Sequence, residues 1–116
     1  MMKESPLFTR TYDLLLWLIP RVQQFPRTHR FGLGERIQRL ALDFQDTLVA
    51  AGKASGQQRR QHLQNADLQL AQLRVWMRLT RDLEILSIRR YEHAALSMNE
   101  VGRLLGAWLK QVNTSS

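Results

Sequence analysis

The chain has 116 residues, a formal net charge of +7 at pH 7 and no cysteine. This length suits a single domain over residues 1–116, and the lack of cysteine excludes disulfide bonds and thiolate chemistry, as in a protein of the reducing cytoplasm. The longest apolar run, residues 14–19, is too short to span a membrane, and no signal cleavage site follows it.

The basic residues are strongly biased towards arginine, which accounts for 14 of the 17. A guanidinium donates paired hydrogen bonds to phosphate or carboxylate, whereas a lysine ammonium is a point charge. The bias therefore indicates nucleic acid or an acidic partner. A GC-rich genome produces the same bias, so composition alone leaves both explanations open.

The first predicted helix covers residues 7–24 and is apolar on nearly all sides at its middle. This pattern is typical of a helix buried by more than one neighbour. Pro20 lies inside the helix and is expected to kink it. Residues 25–34 are predicted to form a loop that holds Arg27 and Arg30 close to a rigid turn.

The third predicted helix carries two apolar seams. A second helix over residues 33–51 has a single apolar face, but the third, over residues 57–86, is apolar on two roughly opposite sides. One helix of a solitary bundle needs only one seam, so the second seam indicates a subunit interface. The residues expected at that interface are Trp76, Leu79 and Leu83.

Arginines form a stripe between the two seams and cluster near the connections. The stripe is Arg74, Arg78 and Arg81, and the residues near the connections are Arg27, Arg30, Arg89 and Arg90. We predict that both groups bind phosphate with little sequence preference. A solvated face is the alternative, with Arg74 and Arg78 paired to Asp67 and Asp82 at helical spacing. The few aromatic residues look like core or interface, so base stacking is not indicated.

The last predicted helix covers residues 91–112, with Ser87 as a candidate N-cap. Gly102 and Gly106 lie near its apolar stripe, and each costs a helix interior about 1 kcal/mol relative to alanine. We therefore expect another helix to approach closely at both glycines. With helical period in every long segment and short connections, the chain is predicted to be all-α, an up-down-up-down four-helix bundle.

The residues that carry catalysis and metal binding are sparse. His29, His62 and His93 have no carboxylate at the three- or four-residue spacing of helical metal sites. No nucleophile elbow and no glycine-rich phosphate loop is present. We therefore expect no catalytic residue, no metal and no cofactor, and hence a protein that is not an enzyme.

Two strings and one pattern carry a family resemblance. VGRLLGAW at residues 101–108, LAQLRVWMR at residues 70–78 and Pro…Phe-Pro-Arg-x-His over residues 20–29 resemble the accessory variability determinant protein of diversity-generating retroelements. The similarity covers about residues 8–113, and ribosomal intervening-sequence proteins look related. The resemblance implies a basic four-helix bundle that assembles into a homopentameric barrel and binds nucleic acid and a reverse transcriptase without catalysis. The lysine-rich tail of some members is missing.

Two interpretations of function follow from the sequence. In the first, the chain is a non-catalytic accessory protein that binds nucleic acid and a reverse transcriptase through arginines on a homo-oligomer. In the second, it is a stand-alone structural or protein-interaction bundle whose charge only keeps it hydrated. A reverse transcriptase gene beside its own gene would favour the first.

Overall fold

The computed structural model describes residues 5–114, in which four long α-helices and no strand occur. The long helices are α1 (Pro6–Gln23), α2 (Glu35–Lys53), α3 (Gly56–Asp82) and α4 (Ile88–Thr114). Each helix packs on the next along the chain, and α4 also packs on α1, so the four surround one core. The predicted all-α four-helix bundle is confirmed, and no helix within the described part is long and apolar enough to cross a bilayer.

The core consists of one apolar stripe from every helix. Leu18, Phe44, Leu63 and Val101, one from each helix, are all exposed by 1% or less. Burying side chains of this size contributes about 1.5–3 kcal/mol each relative to leaving them in water. The packing of these four stripes therefore holds the bundle together.

The segment between α1 and α2 differs from the predicted loop, because most of it is helical. A single α-turn, Arg27–His29, leads into a π-helix, Arg30–Gly34, and this runs directly into α2. Gly34 is buried, and a Cβ atom there would lie 3.2 Å from the side chains of both Phe25 and Val22. Glycine at this position therefore allows the π-helix to pack closely on the end of α1.

Helix α3 ends at Asp82, four residues before the predicted end, in a Schellman turn. The N–H of Glu84 donates to the carbonyl of Arg81 at 2.9 Å, and the N–H of Ile85 donates to that of Thr80 at 2.9 Å. Glu84 has a φ of 61°, the left-handed conformation that this motif requires. The turn is closed by its own hydrogen bonds and by a buried Leu86 rather than by a glycine.

Helix α4 begins directly after Ser87, the residue that was predicted to cap it. The Ser87 hydroxyl accepts a hydrogen bond from the N–H of Arg90 at 3.1 Å, so the predicted N-cap is confirmed. The helix then extends a little beyond both predicted ends, to Ile88 and Thr114. Helix α1 is capped in the same way by Ser5 and continues through Pro20.

Neither glycine of α4 makes the predicted close contact with the backbone of another helix. A Cβ atom on Gly106 would have no neighbour within 4 Å, so the close contact predicted there is wrong within this bundle. A Cβ atom on Gly102 would collide with the guanidinium of Arg74 and lie 3.4 Å from Leu70. Glycine at position 102 therefore makes room for an arginine side chain, not for a helix backbone.

This difference predicts opposite consequences for two alanine substitutions. Gly106→Ala should raise the free energy of unfolding by about 1 kcal/mol, because it improves helix propensity without a clash. The free energy of unfolding of Gly102→Ala should be at least about 1 kcal/mol lower than that of Gly106→Ala, because Arg74 must move and lose hydrogen bonds. Urea denaturation followed by circular dichroism measures both. Equal gains from the two variants would show that Gly102 does not accommodate Arg74.

Candidate nucleic-acid interface

Two clusters of arginine meet at one end of the bundle. Because consecutive helices run antiparallel, the α1–α2 and α3–α4 connections lie at the same end. A hydrogen bond joins them directly, from Nη1 of Arg90 to Oε1 of Gln24 at 3.3 Å. We call this surface the basic end, and its arginines are Arg27, Arg30, Arg89 and Arg90.

The arginines of the basic end keep most of their donors free. The side chains of Arg27 and Arg89 are exposed and form no hydrogen bond or ion pair with any residue in the range 5–114. Arg30 donates from Nε and Nη2 to the Phe25 carbonyl at 3.4 Å, which holds its side chain against the end of α1. A guanidinium has five N–H donors, so Arg30 and Arg90 retain donors for a ligand.

Large apolar side chains are exposed on the same end. Phe31 is 67% exposed and Ile88 is 66% exposed, and Leu83 in the α3–α4 turn is 51% exposed. Phe31 is therefore not a core residue. The sequence analysis did not predict that Phe31 is exposed. In the π-helix Phe31 faces away from the core while Gly34 is buried, and no local sequence pattern indicates a π-helix.

The predicted arginine stripe on α3 does not form one uniform charged surface. Arg74 is half-buried and donates to Oδ1 of Asn99 at 2.7 Å and to the carbonyl of Met98 at 3.1 Å. It therefore joins α3 to α4, and the alternative prediction that it pairs with Asp67 is wrong.

The other two stripe residues also differ from each other. Arg81 forms an ion pair with Asp82 at 2.9 Å and lies over the ring of Tyr91, 4.8 Å from its centroid. The predicted pairing of Arg78 with Asp82 is therefore wrong, because Arg81 takes that carboxylate. Arg78 is exposed and has no partner among the described residues, so it is the stripe residue best placed to meet a phosphate.

Other arginines have structural roles at the opposite end. Arg59 donates from Nε to the carbonyl of Ala51 at 2.9 Å and from Nη2 to that of Gly52 at 3.3 Å. These carbonyls belong to the last turn of α2, where helix carbonyls lack their full set of partners, and that of Ala51 also accepts from the N–H of Ala54 at 3.3 Å. The same guanidinium lies 5.7 Å from the ring centroid of Trp108, beside an apolar recess of about 430 Å³. Arg59 therefore caps a helix, and its side chain is half-buried there.

Surface carboxylates are not arranged as a metal site in the described part of the chain. Within residues 5–114 no cluster of histidine and acidic side chains has the geometry to hold a metal ion. Glu100 accepts two hydrogen bonds from Arg103, at 3.2 and 2.8 Å. The Arg103 guanidinium lowers the pKa of Glu100, and that carboxylate raises the pKa of Arg103. The pair is solvent-exposed on α4.

The predicted subunit seam on α3 is partly uncovered. Leu83 is 51% exposed and Val75, on the same side, is 49% exposed, whereas Trp76 and Leu79 are half-buried and Trp76 packs against the core. Exposed Leu68 extends this surface along the helix. We call Leu68, Val75 and Leu79 the α3 seam.

A second apolar patch, which the sequence did not predict, lies across α1 and α2. Its members are Tyr12, Leu16, Leu42 and Val49, exposed by 57%, 60%, 40% and 46%. Tyr12 and Leu16 lie on α1, and Leu42 and Val49 lie on α2, the helix that packs against it. We call this surface the α1–α2 patch.

The role of Arg74 predicts a stability effect that Arg78 does not share. Arg74→Ala removes two interhelical hydrogen bonds and should lower the free energy of unfolding by about 1–3 kcal/mol. Arg78→Ala, on the same helix and one turn away, should change it by less than about 0.5 kcal/mol. Thermal and urea unfolding of the two variants measure the difference. Equal stabilities would contradict the assignment of Arg74 to the α3–α4 contact.

Comparison with known families supports the resemblance found in the sequence. A family model described as bAvd-like matches residues 7–112, which is 106 of the 116 residues. That range covers all four long helices almost completely. No match was found among curated proteins.

Proposed function

Since this chain belongs to the bAvd-like family of accessory variability determinants, we propose that it serves a diversity-generating retroelement as a non-catalytic accessory protein in the cytoplasm. In this role it binds nucleic acid and the element's reverse transcriptase through a basic, oligomeric surface. Family membership supports the accessory role. The arginines at the basic end support the nucleic-acid contact.

The observation that carries nucleic-acid binding is that no arginine of the basic end forms an ion pair within residues 5–114. The chain has a net charge of +7, and only two ion pairs occur within residues 5–114. Neither of them involves an arginine of the basic end. A free guanidinium that neutralises a phosphate releases cations condensed on the nucleic acid, and this release favours binding. Of the predicted arginines, Arg27, Arg30, Arg89, Arg90 and Arg78 keep this role in the proposal, whereas Arg74 and Arg81 are held by other residues of the bundle.

Charge reversal at the basic end tests this site. Arg27→Glu/Arg89→Glu should weaken binding to any oligonucleotide at least about tenfold at low salt and should reduce the log–log salt slope by about 0.9 per lost contact on duplex DNA. Lys53→Glu/Lys110→Glu is the matched control, because both residues are exposed near the opposite end of the bundle and the net charge changes equally.

Fluorescence anisotropy over a salt series measures both variants. If the site is at the basic end, the loss of affinity for the oligonucleotide should be much larger in the first variant than in the control. Equal losses would mean that binding follows net charge alone, and no binding by the unaltered protein would contradict the nucleic-acid function.

We further propose that copies of the chain assemble head to tail into a ring, a homopentamer as the family resemblance implies. The α3 seam and the α1–α2 patch are different surfaces on different sides of one bundle. A contact between two unlike surfaces is heterologous, and it closes into a ring when the rotation permits. Exposed Leu68 and Val75 would be covered by Tyr12 and Leu16 of the next copy. The predicted interface residues Trp76, Leu79 and Leu83 lie on or beside the α3 seam.

Mixing two interface variants tests the head-to-tail arrangement. Leu68→Glu/Val75→Glu and Tyr12→Glu/Leu16→Glu should each give helical monomers, because each loses one half of every contact. An equimolar mixture should form a one-to-one dimer, because each variant still offers the surface that the other lacks. Native mass spectrometry and light scattering measure this. Monomers in the mixture would contradict the arrangement, and a monomeric unaltered protein would contradict the oligomer itself.

The reverse transcriptase is proposed as a partner because of the family to which the chain belongs. Co-purification of the tagged chain with the reverse transcriptase from the same genome tests this partnership. Capture that persists after nuclease treatment would separate a protein contact from one bridged by nucleic acid.

A further inference from the structure

An exposed aromatic ring lies within the basic end, on the π-helix Arg30–Gly34. Phe31 is 67% exposed, and the next residue, Gly32, has nothing within 4 Å of the position a Cβ atom would take. The ring is therefore open to solvent, and the neighbouring backbone leaves room beside it. Single-turn π-helices are rare and occur frequently at functional sites.

The segment that carries Phe31 is held in place by the bundle. Gly34 packs against Val22 and Phe25 and lies close to the His29 carbonyl. Arg30 adds hydrogen bonds from its guanidinium to the Phe25 carbonyl. Because both ends of this short helix are fixed, Phe31 is presented by a rigid element, and little conformational entropy remains to be lost when a ligand binds.

Four arginines lie at the same end of the bundle as the ring, together with the exposed carboxylates Glu35 and Glu84. Arg27 lies four residues before Phe31, Arg30 lies beside it in sequence, and Arg89 and Arg90 belong to the same end. Two copies of this chain are poorly suited to each other end to end at this surface, because the arginines of two basic ends would repel. A polyanion with exposed planar groups complements both the charge and the ring.

We propose that Phe31 is a stacking platform for an unpaired base, so that the basic end binds single-stranded nucleic acid in preference to duplex. This inference rests on the proposed nucleic-acid function and specifies its ligand. Phosphates are accessible in both forms, so the arginines bind either one. A base in a duplex is already stacked and paired, so only a single strand presents a face to Phe31.

The test compares single-stranded and duplex oligonucleotides of the same sequence, RNA and DNA, at one salt concentration. Phe31→Ala should weaken single-strand binding by about 5- to 100-fold, the loss of one stacked base, and should leave duplex binding within about twofold. Phe31→Trp should restore single-strand binding. Ile88→Ala is the matched control, because Ile88 is an equally exposed apolar residue at the same end without a ring.

The outcomes separate this inference from the function on which it rests. If the unaltered protein binds both forms and Phe31→Ala changes neither, or changes both alike, the stacking role is wrong while nucleic-acid binding stands. If Phe31→Ala disrupts the oligomer, the ring contacts another copy and the inference is also wrong. If the unaltered protein binds neither form, both proposals fail. Circular dichroism melting verifies that each variant folds.

Discussion

The constraint on which the rest of the structure depends is that four apolar stripes must face one core while short connections join the helices. Such connections force neighbouring helices to run antiparallel. The α1–α2 and α3–α4 connections then lie at one end, where Arg90 bonds to Gln24 across them. The burial of apolar groups such as Phe44 and Leu63 thus determines where the arginines of two distant segments meet.

Arginine serves two separate purposes in this bundle. Arg59 satisfies carbonyls at the end of α2, and Arg74 joins α3 to α4 in the space left by Gly102. A guanidinium suits both tasks because its planar fork of donors reaches several acceptors at once. The arginines that lack such partners, Arg27 and Arg89 among them, are the ones left to attract an external anion. An arginine-rich composition therefore overstates the surface available to nucleic acid.

The two apolar surfaces and the basic end lie on different parts of the molecule. The α3 seam and the α1–α2 patch run along the sides of the bundle, while the basic end lies where two connections meet. In a ring built from the side surfaces, the basic ends would all point the same way. Each free arginine would then be repeated around the axis, and the summed field would exceed that of one copy. Assembly and anion binding are in this way compatible uses of different surfaces.

The sequence by itself determined the four helices, the Ser87 cap, the excess of positive charge and the family, because each depends on residues close together along the chain. Hydrophobic period predicts a helix, and a serine caps the turn that follows it. The tertiary structure alone decided that Arg74 bonds to Asn99, that Tyr12 faces solvent and that the predicted loop before α2 is a π-helix carrying Phe31. These features depend on side chains brought together from distant segments. A local sequence pattern does not indicate which of two apolar faces a neighbouring helix will cover.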